Sequence, residues 1–468
     1  MNSLLPGRLS VLSASLALVL ATQASGVNAA GYVQTNLVAN DAKYNPTVMV
    51  DPYLVNPWGI ALRPPGAGGH IWTSNAGTGT TTTYIGDVYR PTAPGYSVTP
   101  MYQDGLKVVP IVSAALDMEI DRLGATQNAE VTGQVYNAAS DFAGQPVEFY
   151  VEGPAINFSN GTNAGIDKGS AKFIFVTQDG TINAWRTKTD PGMLEAVVVK
   201  DYWTEDPQAE GFNNRPGFNG VAMTTDHWTT DAQGNKVADN RLYVADFANG
   251  RIMTFDNQWN DITWKTPFEK PVDLIGPNWS PFNVQVLGDN RIYVAWTISS
   301  YDIDEPTEEI PGAGFGRIVA YDRDGKVLQD YTAQGLLNNP WGMAIAPDNF
   351  GEFSGALLVA NFGDGTIAAF DVATGAELGY LRDPDGNIIT IDGIWGLTFG
   401  NGWSLGDADS LYFTAGPDEE RDGILGRLNV AAAPVPEPES YALMLAGLGL
   451  VGFMARGRKA KNRLTDKQ

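Results

Sequence analysis

Short runs of apolar, β-branched and aromatic residues, bounded by Gly, Asp or Asn, recur along the chain from Tyr32 to Leu428. Runs of this kind read as strands. The clearest are Ile71 to Asn75, Phe173 to Thr177, Leu242 to Asp246, Ile292 to Trp296, Leu357 to Asn361 and Leu411 to Ala415, most of them ending near a small polar residue. A further strand opens at a Gly turn after five of these: Gly180 to Trp185, Gly250 to Phe255, Gly316 to Tyr321, Gly365 to Phe370 and Gly423 to Leu428. No long pattern of period 3.6 interrupts them, so the pattern predicts an all-β chain.

The strands belong to a repeat. Asn56-Pro57-Trp58-Gly59-Ile60-Ala61 returns as Asn339-Pro340-Trp341-Gly342-Met343-Ala344. Looser copies are Gly217 to Ala222, Pro281 to Val286, Gly393 to Thr398 and, most faintly, Thr132 to Tyr136. Aligned on Gly59, Gly133, Gly220, Val284, Gly342 and Gly396, they mark six units with spacings of 74, 87, 64, 58 and 54 residues. Six small sheets of this kind, arranged radially, make a six-bladed β-propeller. The units exceed the ~40 to 50 residues of compact propeller repeats, so long loops are expected at Gly153 to Gly169, Thr204 to Pro216, Thr229 to Asp239 and Ile298 to Gly314. The alternating segment Tyr32 to Val38 has no unit of its own, and is expected to supply the outer strand that closes the last blade.

Composition narrows the chemistry. The chain has no Cys among 468 residues and two His, His70 and His227, which excludes disulfides, thiolate sites and a three-His zinc site. Its 30 Lys and Arg against 53 Asp and Glu give a net charge of -23, which excludes a nucleic-acid partner held through a basic face.

Both ends read as address labels. Residues 1–29 carry Arg8 as their one charge, an apolar run from Val11 to Ala21 and the small residues Val27-Asn28-Ala29, the pattern of a secretory signal peptide. At the other end, within 432–468, come Val435-Pro436-Glu437-Pro438, an apolar stretch from Tyr441 to Ala455, and the basic residues Arg456, Arg458, Lys459, Lys461 and Arg463. Prolines in alternation keep the motif extended and accessible. The apolar stretch approaches a membrane span, with cations holding its far side in the cytoplasm. These three parts in order resemble the PEP-CTERM sorting signal of Gram-negative bacteria that make exopolysaccharide. The resemblance implies transient anchoring in the inner membrane, processing by an exosortase, and delivery to the cell surface or biofilm matrix. The propeller is assigned to 30–431, and without the two ends the body carries about -27, sharper than the whole chain.

The rhythm of Asn-Pro-Trp-Gly, then Val-Ala-Asp or Val-Ala-Asn, then Gly-x-Ile-x-x-Phe-Asp resembles NHL-type six-bladed propellers. The opening segments (Tyr32 to Asn40, Asp51 to Ile60, Trp72 to Thr83) and Phe173 to Trp185 are similar to a family of uncharacterised bacterial exported propeller proteins. That family implies a fold and a location, and no chemistry.

In a propeller, ligands meet the loops at one mouth of the central channel. Asn56, Asn219, Asn283 and Asn339, just before or within the innermost strand, are candidates for a ring of amides at that mouth, and Asn75, Asp246 and Asn361 recur at the ends of the second strands. Oxygen-rich positions of this kind suit Ca²⁺; Asn beside Pro or Gly is equally a turn former. Six-bladed calcium-dependent lactonases, which centre one metal on a Glu, two Asn and an Asp, are the enzymatic relatives to weigh. This chain departs from them in having no Glu near Asn56 in sequence, and Asp246 is the candidate base. Asp322-Arg323-Asp324-Gly325 and Asp383-Pro384-Asp385-Gly386-Asn387 look like fragments of calcium loops or plain hairpin turns, and Asp302-Ile303-Asp304-Glu305 with Glu308-Glu309 forms an acidic loop. Trp58, Trp341 and Trp395 are expected to pack between blades. Two functions follow: a surface or matrix protein that binds a carbohydrate, such as an exopolysaccharide, or a protein partner, with no resident cofactor; or a calcium-dependent lactonase-type hydrolase working at the channel.

Overall fold

The computed structural model describes residues 31–431, apart from 91–96, 113–128, 142–146, 188–190, 203–215, 226, 231–232, 235, 275–277, 289–290, 301–306 and 332–334, together with Leu448. The signal segment and the sorting motif lie outside the described residues. By its contacts the chain divides into a unit ending at Val430 and a second beginning at Ala431. Among the described residues no helix is long and apolar enough to cross a membrane; the apolar stretch expected to approach a span is not among them.

Successive strands join as meanders. The first sheet runs Pro57–Ala61, Ile71–Asn75, Thr80–Tyr84, Val108–Pro110; the second runs Val131–Tyr136, Phe173–Thr177, Thr181–Trp185, Val197–Asp201. The third has Phe218–Met223, Arg241–Asp246 and Arg251–Asp256; the fourth has Trp279–Leu287, Arg291–Ile298, Arg317–Tyr321 and Val327–Tyr331. Pro340–Ile345, Leu357–Asn361, Ile367–Phe370 and Glu377–Tyr380 make the fifth. In the sixth, Ile394–Phe399, Leu411–Ala415 and Ile424–Val430 are followed by Tyr32–Ala39, which pairs antiparallel with Ile424–Val430 and brings in Met49–Val50. The two ends of the body are thus held by one sheet, which spares Ile424–Val430 an open edge.

The second and third strands of each repeat are nearly all buried, which is why they read so clearly as apolar runs. Glu377–Tyr380, the fourth strand of the fifth sheet, is exposed or half-buried and carries little apolar signal, so the pattern passes over it. Two stretches expected as loops contain strands instead. Tyr150–Ile156 pairs with Asn163–Ser170 across Gly153 to Gly169, and Trp228–Thr230 pairs with Lys236–Ala238 within Thr229 to Asp239. Tyr150–Ile156 alternates exposed with buried residues, Asn163–Ser170 is polar, and Trp228–Thr230 is short and largely exposed, so none shows the continuous apolar run that marks the others. Most of Thr204 to Pro216 lies outside the described residues. Of Ile298 to Gly314, residues 301–306 lie outside the described residues, and Ser299 and Glu309 form an isolated bridge.

Each first strand touches the next. Gln134 Nε2 donates to Gly59 O (3.0 Å), joining second sheet to first, and Thr132 Oγ1 donates to Phe218 O (2.6 Å), joining second to third. Asn283 Nδ2 donates to Trp341 O (2.8 Å) between fourth and fifth, and Thr414 Oγ1 donates to Trp58 O (2.7 Å) between sixth and first. The aligned glycines permit this approach: a Cβ on Gly133 would lie 2.7 Å from Val221 N in the third sheet, and one on Gly396 would lie 2.7 Å from Trp58 O. The first and second strands also slip register at the same phase, between Pro57 and Ile60, Phe218 and Gly220, Pro281 and Asn283, Pro340 and Met343, and Ile394 and Leu397. A bulge of this kind re-aims the side chains that follow it.

Candidate functional site

Asn56 and Asn339 stand immediately before their strands with left-handed backbone, φ 45° and 48°. Asn tolerates that region better than most residues because its short side chain bonds locally. Their carbonyls accept from the residues just after the second strands, Ala76 N and Phe362 N, both at 3.0 Å. Two residues on, the indoles of Trp58 and Trp341 enter one central cluster with Trp395, Phe282, Phe247 and Ala76, and Phe362 packs against it.

These rings were expected to lie between neighbouring sheets. They instead pack on one another. Trp395 stacks on Trp58 at 3.6 Å and on Phe362 at 3.9 Å, and Trp341 meets both Trp58 and Trp395 edge-on at 5.9 Å. Phe282 of the fourth sheet reaches Trp58 of the first at 6.1 Å, so sheets three places apart in the chain touch through their rings. Beside this plug, residues from all six first strands line a cavity of about 20 Å³, among them Ile60, Gln134, Val221, Gln285, Trp341 and Leu397. That is room for about one water.

The seven polar positions read as one repeated set separate into three kinds. Asn56 and Asn339 precede the strand. Asn219 and Asn283 lie inside it, because Gly217 and Pro281 take the place of the first Asn in those copies. Asn283 spends its amide on Trp341 O, while the Nδ2 of Asn219 is buried with no hydrogen-bond partner among the described residues. Asn75, Asp246 and Asn361 end the second strands, and each is hydrogen-bonded within its own repeat. Asn75 accepts from Thr73 Oγ1 (3.0 Å) and donates to Thr80 and Thr82; Asn361 accepts from Asn338 N (3.1 Å) and donates to Leu336 O. Asp246 accepts from Gly217 N (3.3 Å), from Asn249 and from Arg251 Nε (2.8 Å). Burial raises its pKa, while Arg251 and Asn249 oppose that.

Two glutamates join the Asn-Pro-Trp-Gly copies, neither of them signalled by local sequence. Asn56 Nδ2 donates to Glu420 Oε2 (2.5 Å), and its Oδ1 accepts from Trp395 Nε1 (3.0 Å). Glu420 reaches Asn56 because Asp418, Glu419 and Glu420 are three consecutive left-handed residues, φ 61°, 54° and 63°. Such a run costs on the order of 1–3 kcal/mol per residue and persists where its surroundings hold it. A Cβ on Gly416 would strike Asn56 Oδ1, so that turn also requires Gly. At the equivalent place in the fifth sheet, Asn339 lies beside Glu309 while its Oδ1 accepts from Thr297 Oγ1 (3.0 Å). Each glutamate comes from the loop between second and third strands of the preceding sheet.

Burial, then the negative charge of Glu308 and Glu420, pushes the Glu309 carboxyl up to about 8. Burial likewise raises Glu420, with Glu308 adding to it and Asn56 opposing. The sign follows from Glu309 holding its proton more tightly folded than unfolded. The stability it contributes is complete below about pH 4.5 and is lost as pH rises through about 8. Melting temperatures from pH 5 to 9 are expected to fall, by roughly 1–2 kcal/mol of stability after allowance for solvent screening, and Glu309→Gln is expected to flatten that fall. An unchanged slope in the variant would remove Glu309 as its source.

The donor set does not fit Ca²⁺. The oxygens of Asn75, Asn361 and Asp246 already accept hydrogen bonds from their own repeats, from Thr73, Asn338 N and Gly217 N respectively, with the Arg251 guanidinium on the Asp246 carboxylate. At Asn56 the indole N–H fixes the amide so that its NH₂ end, not its oxygen, faces the carboxylate. Among the described residues no group of three His, Asp or Glu is arranged to hold a metal ion. The presumed calcium-loop fragments are turns: Asp322 Oδ1 accepts from Asp324 N and Lys326 N, and Asp383 Oδ1 from Asp385 N and Asn387 N. His70 Nε2 pairs with Asp104 Oδ1 (2.8 Å), and His227 N donates to Asn240 Oδ1 (3.0 Å).

Residues 434–459 match the PEP-CTERM protein-sorting motif, which implies that the chain is exported and processed by an exosortase. An uncharacterized protein of Acanthamoeba polyphaga mimivirus is 29% identical over 394 residues, 84% of this chain and 78% of its own length. A second from the same virus is 37% identical over 199 residues, 41% of this chain and 50% of its own. Among solved structures, a glucose dehydrogenase is similar at TM-score 0.38 and 13% identity, over 84% of this chain and 98% of its own. The PQQ-bound aldose sugar dehydrogenase of Streptomyces coelicolor is similar at TM-score 0.34 and 12% identity, over 86% and 98%. Likeness at this level does not reach their chemistry.

Proposed function

We propose that this protein is an exosortase-sorted, six-bladed β-propeller that acts as a binding protein at the cell surface or in the biofilm matrix, taking a carbohydrate or protein partner. The cyclic succession of sheet contacts, from first through sixth and back, supports six blades, as does the small cavity that all six first strands line. Tyr32–Ala39 then closes the sixth blade by pairing its last strand.

The observation that carries the binding role is the filled axis. Stacked indoles and phenyl rings occupy the centre, and the cavity of about 20 Å³ beside them is far below the roughly 300–1,000 Å³ of small-molecule sites. A hydrolase working inside the channel needs space that this packing denies. The outer surface of the mouth is left for contact, with Asn56, Asn219 and Asn339 behind it and the strongly acidic body around it.

Calorimetry of the processed, exported protein with Ca²⁺, paired with a lactone hydrolysis assay with and without chelator, tests this. The expected result is no binding heat, no thermal shift and no chelator-sensitive hydrolysis. Micromolar Ca²⁺ binding together with chelator-sensitive turnover would replace the binding role with the lactonase alternative.

A further inference from the structure

A second cleft lies away from the axis, where the outer part of the first sheet meets the second and the hairpin of Tyr150–Ile156 and Asn163–Ser170. Its volume is about 480 Å³, within the range of small-molecule sites. The floor is aromatic: Trp72 stacks on Phe173 at 4.1 Å and meets Trp185 at 4.8 Å, and Phe158 extends it, 6.4 Å from Trp185. The edge is polar and exposed at Asp104, Gly105 and Ser159.

Arg63, Lys172 and His70 line this cleft against one carboxylate among the described residues, Asp104, which is hydrogen-bonded to His70 at 2.8 Å. A protein of net charge -23 has thus gathered cations around a concave apolar floor. The Arg63 fork is positioned by bonds from Nε to Tyr136 Oη (3.0 Å) and from Nη1 to Gly68 O (2.6 Å), with the guanidinium 5.4 Å from the Tyr136 ring centre. Arg recognises carboxylates through a planar fork, and Lys adds a point charge. Aromatic surface takes the apolar face of a sugar ring, while Ser159, Thr187 and the Tyr136 hydroxyl supply polar partners for its hydroxyls.

We propose that this cleft binds a carboxylate-bearing sugar, a hexuronate residue of an acidic oligosaccharide, with its carboxylate toward Arg63 and Lys172 and its ring over the aromatic floor. The assignment goes beyond the binding role argued above, adding a second place for a ligand and naming its class. Nothing in it depends on the mouth of the channel.

The test is calorimetry on the processed, exported protein with oligoglucuronate, against a neutral glucose oligomer of equal length. Oligoglucuronate is expected to bind at least tenfold more tightly, to weaken as salt is raised, and to quench tryptophan fluorescence through Trp72 and Trp185. Arg63→Gln and Lys172→Gln are each expected to weaken it tenfold or more, and the Lys172 variant serves if the Arg63 variant fails to fold. Glu377→Gln, on the exposed edge strand of the fifth sheet, is expected to leave binding unchanged. Equal binding of both oligomers, or undiminished affinity in a folded variant, would overturn the uronate assignment while leaving a carbohydrate-binding protein. Absence of any sugar binding, with a protein partner captured instead, would overturn the cleft proposal alone.

Discussion

An exported chain lacking residues 31–39 is expected to aggregate or to be recovered at less than a tenth of the parent's soluble yield. Tyr32–Ala39 is the outer partner of Ile424–Val430, and removing it leaves a row of unpaired backbone groups on a buried, apolar strand. Leu37, Val38 and Ala39 are at most 1% exposed, and Tyr32 donates to Phe350 O (2.9 Å) while its ring packs on Phe350 and Phe353 of the fifth sheet. Burial of a large apolar side chain is worth about 1.5–3 kcal/mol, so Tyr32, Leu37 and Val38 together approach the 5–15 kcal/mol that holds a typical domain folded. Soluble yield and size-exclusion profile measure the effect. Fusing the same nine residues after Val430 through a short flexible linker is expected to restore part of the yield, since the strand pairs from either end. A soluble monomer with an unchanged melting curve would show that the sixth sheet closes without it.

Trp395→Ala is expected to cost about 3–5 kcal/mol, the range for removing a large aromatic from a core. Trp395 lies between the faces of Trp58 and Phe362 and meets Trp341 and Phe282 with its edge, so its loss opens a void that four rings share. It also removes the indole donor to Asn56 Oδ1, which orients the amide toward Glu420. Trp395→Phe is expected to recover more than half the loss by refilling the stack without restoring that donor. Denaturant unfolding of both variants checks this, and a cost below ~1 kcal/mol for the alanine variant would mean the rings contribute little to holding the sheets together.

The strand content and the repeat were legible because their signals are local. An apolar run bounded by Gly turns is written in adjacent residues, and the second strands are buried on both faces, which makes those runs continuous. The pairing of Tyr32–Ala39 with the last strand was legible by elimination: an alternating segment without a repeat of its own, and a last repeat short of one strand. Short exposed strands such as Glu377–Tyr380 were not, since a half-buried edge selects few apolar residues.

The candidate site was legible only in part. Sequence alone determined the residue types that recur, the spacing of the repeat, the acidity of the body and the sorting motif at 434–459. It joined seven amides and acids into one set because they share a repeat phase. The tertiary structure decided what each does. Asn219 and Asn283 lie inside their first strands whereas Asn56 and Asn339 precede theirs, and the Phe282 ring, next to Asn283, joins Trp58 and Trp341 in the central cluster. Glu420 reaches Asn56 across 364 residues through three left-handed residues that no propensity favours, and rings from sheets far apart in the chain meet at the axis. Local sequence sets the backbone pattern of each sheet, whereas these contacts exist only after the sheets are brought together, when packing selects conformations that isolated segments would avoid.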